Sequence, residues 1–205
     1  YAFAWIASVR AYKREYGRAL TAVNLSIKKK KKKDKTYKAF AYSLRADINV
    51  GLGEKDLAIM DYTEALKYTP EDEDLYEKRA QVYYELQKYD LADADYRKII
   101  TLNQGSVMGY MGIGRNANVQ NKFEDAITQF NYVIKLASDY ASGYSFRAES
   151  YIRLKKYDEA IEDIIKALEI DYDHKAFHLL QSVADSAFYE LEARMKIQCN
   201  KRGND

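Results

Sequence analysis

YSFRAESYIRLKKYDEAIEDI, residues 144–164, matches YEKRAQVYYELQKYDLADADY, residues 76–96, at 10 of 21 letters and a distance of 68 residues. Halving that distance finds two further copies, YSLRADINVGLGEKDLAIMDY at 42–62 and YMGIGRNANVQNKFEDAITQF at 110–130. A fixed period of this size decides the architecture before any local reading. Tyr42, Tyr76, Tyr110 and Tyr144 share a column, as do the small residues Ala46, Ala80, Gly114 and Ala148. Ala58, Ala92, Ala126 and Ala160 form a second small column, followed four places on by Tyr62, Tyr96, Phe130 and Ile164.

Within a copy the apolar spacing is helical, as in Leu75, Ala80, Tyr83 and Leu86, then Leu91, Ala92, Tyr96, Ile99 and Ile100. Two amphipathic helices fit each period. They are separated by short breaks such as Gly51 to Glu54 and Leu86 to Tyr89. Pro70, the only proline, has no amide hydrogen for a continuing helix and marks a stop. The small columns belong where helix axes come closest, and the aromatic columns fill the wider gaps. One helical hairpin cannot bury its own apolar face, so neighbouring hairpins must stack. The expected fold is all-α, a right-handed superhelical solenoid of antiparallel helix pairs.

The repeats divide as 39–72, 73–106, 107–140 and 141–174, preceded by a divergent copy in 1–38 with Ala7, Ala19 and Val23 in the column positions. That first copy keeps step only if about five residues are inserted at the lysine run. Apolar spacing continues after residue 174, which predicts a long C-terminal capping helix over 175–199. No Pro, Gly or Ser-rich linker interrupts the chain, so 1–205 reads as one solenoid domain.

These residues resemble the tetratricopeptide repeat family, which shares the 34-residue helical hairpin, the paired small columns and a proline near the unit's end. The fit is strongest over 39–174. Pentatricopeptide units lack this pairing of alanines, and HEAT or armadillo units are longer. In the later copies Gln104, Ser138 and Tyr172 replace the proline, and Gly109, Gly112 and Gly114 crowd one predicted helix. The resemblance implies a non-catalytic scaffold that holds a peptide or a partner's helix on the concave face, built from the first helix of each pair. The inward columns then carry Ser43, Asp47 and Gly51; Asp74, Glu77, Gln81, Tyr84 and Glu85; Met108, Met111, Arg115 and Asn118; and Ser145, Glu149 and Arg153. Such a face favours a basic or mixed-charge protein segment, with the methionines as adaptable contacts. One subclass of the family clamps the carboxylate tail of chaperones with Lys, Asn and Arg. Ala4, Ser8, Lys78, Met108 and Gly112 stand in those places here, so no chaperone-tail clamp is expected.

Charge is uneven. Residues 1–38 carry 12 Lys/Arg against 2 Asp/Glu, while the whole chain has a net charge of +2. Lys28, Lys29, Lys30, Lys31, Lys32 and Lys33 form an unbroken run whose plain reading is a solvated, self-repelling extension between hairpins. The alternative function is binding of nucleic acid or an anionic surface through this run. No aromatic residue interrupts it to stack on bases, so nucleic acid is the less favoured partner.

Other motifs carry little chemistry. Gly112, Gly114 and Ala117 match a dinucleotide pattern by letters, but in a helical repeat instead of a strand-to-helix turn. His174 and His178, with Asp171 and Asp173, are the one cluster with metal-ligand spacing and read better as a helix-capping region. With Cys199 as the lone cysteine there is no candidate triad or disulfide, and the expected cofactor is none. Asn24 opens a glycosylation sequon that falls in mid-helix. No run is long enough to span a membrane. Cytoplasmic placement is the default expectation, with a removed export segment left open because the chain starts at Tyr1.

Overall fold

The computed structural model describes residues 2–29, 34–171, 175–176 and 178–183. Ten helices run through them: α1 (Ala2–Tyr12), α2 (Tyr16–Lys29), α3 (Lys35–Leu52), α4 (Lys55–Leu66), α5 (Glu73–Glu85), α6 (Tyr89–Leu102), α7 (Val107–Val119), α8 (Phe123–Leu136), α9 (Ala141–Arg153) and α10 (Tyr157–Ile170). The second helices of the last four pairs start at Lys55, Tyr89, Phe123 and Tyr157, keeping the period read from the sequence. Residues 178–183 are also helical, in agreement with the start of the capping helix, while 184–199 lie outside the described residues.

The chain groups into two compact units, Tyr1–Gly109 and Tyr110–Asp205, with the boundary inside α7. In unit 1, α1 packs on α2, α3 on α4 and α5 on α6, and the hairpins join through α2 with α3 and α4 with α5. In unit 2, α9 packs on α10 and on α8.

The small columns are where they were expected. Ala7, Ala46, Ala80 and Ala148 are 0% exposed, as are Ala19, Ala58, Ala92, Ala126 and Ala160. Four residues on, Val23, Phe130 and Ile164 are also 0% exposed and Tyr62 is 2%. Gly114 replaces alanine because Phe130 is its partner: a Cβ there would stand 2.5 Å from the ring. Gly109 has the same reason in unit 1, where Ile100 of α6 would lie 2.6 Å from an added Cβ. Both are close-packing glycines, which answers why α7 tolerates residues that weaken an isolated helix.

Each hairpin turns in the same way. Arg14, Gly53, Gln87, Asn121 and Lys155 occupy the left-handed region, with φ of 58°, 82°, 59°, 60° and 59°. At α5, for example, the Lys88 amide donates to the Tyr83 carbonyl and the Gln87 amide to Tyr84, the paired bonds of a Schellman cap. Only one of the five turns uses glycine, so side chains at the others hold a conformation that disfavours them. Gln87→Gly is therefore expected to raise the unfolding free energy by about 0.5–1 kcal/mol, after allowance for glycine's freer unfolded chain. Urea denaturation with an unchanged slope checks it.

Pro70 lies between the end of α4 and the start of α5, as expected of a stop, and a tyrosine bonds the main chain at this column. The Tyr76 hydroxyl donates to the carbonyl of Pro70 at 3.1 Å, and the Tyr144 hydroxyl donates to the carbonyl of Ser138 at 3.1 Å. A tyrosine that bonds a main-chain carbonyl does not require proline there, so the register survives its replacement.

Three arginines staple the hairpins. Arg45, Arg79 and Arg147 each make a bidentate pair with an aspartate of the following helix, Asp61, Asp95 and Asp163, with closest distances of 2.6 Å. The same guanidinium reaches back to the preceding pair: Arg45 to Asn24, Arg79 to Thr63 and Arg147 to Asn131. The aspartates are buried, at 6%, 4% and 5% exposure. Arg45 has its pKa raised, first by its bond to Asp61; for Arg79 and Arg147 burial acts against the charge and the aspartate bonds outweigh it. Arg45 reaches back 21 residues where the others reach back 16, which is the five-residue insertion expected in the first copy. Asn24, the sequon residue, is thus engaged within α2.

Candidate peptide groove

The frame columns consume the buried faces, so candidate contacts are what remains exposed on the first helix of each pair. In unit 1, Asp47 on α3 and Asp74, Glu77, Gln81, Tyr84 and Glu85 on α5 are all half-buried or exposed. Asp47 accepts from the Tyr62 hydroxyl at 2.5 Å and from Lys78 at 3.3 Å, and Lys78 also lies 3.2 Å from Asp74. Burial, with the charge of Asp47 second, pushes the Tyr62 pKa well up and keeps it a neutral donor. Burial also raises the pKa of Glu77, aided by Asp74 and opposed by Lys78. For Lys78 burial works against the charge, and Asp47 and Asp74 reverse the effect so that its pKa is raised. Glu85 pairs with Lys55 of α4 at 3.1 Å, and the Tyr84 ring meets Tyr89 edge-on. Met108, 45% exposed, stands at the start of α7.

One column departs from the groove expectation in two copies. Met111 and Ser145 are buried, at 8% and 0% exposure, and belong to the packed side instead of offering contacts. Ser43 and Glu77, in the same column of the earlier copies, are only half-buried. Gly51 is also accounted for by packing, since an added Cβ would meet the Tyr16 ring at 2.6 Å.

In unit 2, Asn118 on α7 is held within the structure: its amide donates to the Phe146 carbonyl at 3.4 Å and its oxygen accepts from Ser150 at 2.7 Å. Glu149 pairs with Lys175 at 2.7 Å, and the Lys175 ammonium sits 3.5 Å from the centre of the Phe146 ring. Arg115 lies 5.6 Å from the same ring, and Arg153 lies 5.7 Å from Phe123. Lys175 and Phe146 were not singled out in the sequence. Phe146 sits one place after the inward Ser145, and Lys175 is beyond the last repeat, so the column rule passed over both.

Lys28 is exposed on α2, and Lys30 to Lys33 lie outside the described residues, as do Asp173, His174 and Cys199. Among the described residues no group of three or more His, Cys, Asp or Glu could hold a metal. Among them also no helix is long and apolar enough to cross a membrane.

Stacked hairpins with two small columns and a bulky third define a helical-repeat protein. Family models described as tetratricopeptide repeat match residues 43–107 and 141–174, and the chain belongs to that family. It is similar to the Saccharomyces cerevisiae small glutamine-rich tetratricopeptide repeat-containing protein 2, 32% identical over 111 residues, covering 53% of this chain and 32% of the relative. It is 31% identical over 122 residues to Hsc70-interacting protein 1 of Drosophila melanogaster, covering 58% of this chain and 32% of that protein. The chain thus spans about a third of the length of these relatives.

Among solved structures, YrrB, a tetratricopeptide protein described as having an unusual peptide-binding site, superposes with TM-score 0.68 at 20% identity, covering 87% of this chain and 90% of YrrB. A tetratricopeptide protein from Parabacteroides merdae gives TM-score 0.71 at 23% identity, covering 91% of this chain and 71% of that one. These likenesses establish the all-α helical-repeat solenoid fold.

Proposed function

We propose that the chain is a non-catalytic scaffold that holds a basic or mixed-charge peptide segment, or one face of a partner helix, along the first helices of its repeats. One observation carries the reading. Once the frame columns are buried and the arginine staples closed, the carboxylates of unit 1 remain at the surface: the Asp47 and Asp74 side chains are 41% and 64% exposed, and that of Glu85 is 37%. Carboxylates left facing solvent on one helix row attract cations and repel anions, which sets partner choice more than affinity.

The name of the Drosophila relative raises a chaperone as partner for this chain too. An acidic chaperone tail fits poorly, because Ala4 is buried, Gly112 is buried, and Lys78 is already held between Asp47 and Asp74. Binding of nucleic acid or an anionic surface through the lysine run is the second reading, and exposed Lys28 is its only described support.

Glu77→Lys with Glu85→Lys is expected to change stability by less than about 1 kcal/mol, since the lost Glu85 pair with Lys55 is a surface one. The same variant should change which proteins the chain recovers from a lysate. Thermal melting and quantitative pull-down at two salt concentrations check both. An unchanged partner set speaks against the groove, and loss of every partner between low and moderate salt supports the lysine run instead.

A further inference from the structure

The face of unit 1 that carries the acidic row also carries an apolar cavity. Trp5 and Ile6 of α1 and Tyr37 and Phe40 of α3 line a space of about 740 Å³. Its two largest walls are open to solvent, Trp5 at 72% exposure and Phe40 at 50%. The cavity adjoins a cleft of about 400 Å³: Thr36 and Phe40 border both, and the cleft runs on past Asp47, Asp72 and Asp74 with Lys78 as its cation. The Thr69 hydroxyl, which also lines the cleft, has no hydrogen-bond partner among the described residues. The column of Phe40 holds Asp74, Met108 and Ser142 in later copies, and that of Ile6 holds Arg45, Arg79, Ile113 and Arg147. Among these columns, aromatic and apolar letters coincide only at this end.

We propose that unit 1 reads a two-part signal in a partner protein: a bulky apolar side chain seated against Trp5 and Phe40, next to a Lys or Arg that meets Asp47 and Asp74. The proposal rests on the groove reading above and specifies its chemistry and its position. Charge chooses this occupant. Three carboxylates share one ammonium in the cleft, Asp47 and Asp74 both pairing with Lys78, so the cleft keeps a net negative charge that favours a cationic neighbour to the apolar anchor and repels an anionic lipid headgroup. An apolar anchor in a concave aromatic wall with charged neighbours is the arrangement from which interface hot spots are built.

Trp5 is the chain's only tryptophan, so its emission reports this site alone. Short amidated peptides with one leucine flanked by lysines are titrated into the full chain, with calorimetry alongside. A saturable blue shift is expected. Affinity should fall about tenfold when the peptide's leucine becomes alanine, when its lysines become glutamates, and in the Phe40→Ala and Asp74→Asn variants. Both variants alter exposed side chains, and circular dichroism confirms their folding.

Calorimetric binding with no change in Trp5 emission overturns the proposal while the groove reading stands. Equal binding of the glutamate peptides overturns the charge assignment. A shift that depends on protein concentration alone makes a second copy the occupant, and absence of all peptide binding removes both readings.

Discussion

Asp95→Ala is expected to lower the unfolding free energy by about 3 kcal/mol, more than any surface change in this chain. The aspartate is 4% exposed and receives two bonds from Arg79, at 2.9 and 2.6 Å. Removing it leaves a guanidinium that is only 16% exposed without its counter-charge, between the rings of Tyr76 and Tyr83 at 5.7 and 5.9 Å. Desolvation of that charge then goes uncompensated, which is why breaking one side of such a pair is worse than removing both. The double variant Arg79→Met with Asp95→Leu should recover most of the loss. Urea denaturation of the three proteins measures this, and a double variant no more stable than Asp95→Ala argues that the staple acts through shape alone.

Ala92→Leu is expected to destabilise by about 1–3 kcal/mol through overpacking. Ala92 and Ala80 are both 0% exposed, on α6 and α5 where the helices pack. Three added heavy atoms have no void to enter, so the helices must separate or the side chain must leave its rotamer. Ala160→Leu, against Ala148 in unit 2, is the matched test in an independent unit. If either variant melts like the parent, the helix register is wrong at that pair.

The frame was legible because its requirements are local and repeated: a small residue where axes approach, an aromatic four places on, and a step of constant length. Even the insertion in the first copy could be placed, and the reach of Arg45 to Asn24 bears it out. The turns were legible only as breaks. Gln87 and Lys155, unlike Gly53 and Asn121, carry no letter that announces a positive φ, because the Schellman bonds of the flanking helix impose it. The arginine staples were visible as shared letters, yet their ion pairing is a relation between two helices and a third, which a column does not display.

The candidate contacts were the least legible. A column rule assigns one direction to a whole helix position, but Met111 and Ser145 are buried while Glu77 in the same column is only half-buried. Conversely Phe40 was passed over, although Asp74 and Met108 in the same column were chosen. Trp5 was missed because in a divergent copy the letters that normally calibrate a column are changed.

The central claim is that partners are held on the first helices of the hairpins, and photo-crosslinking tests it most directly. A benzoylphenylalanine placed at Gln81, on α5, should capture a partner protein, and one at Met60, 66% exposed on the second helix α4, should not. Capture from Met60 with none from Gln81 would contradict the account.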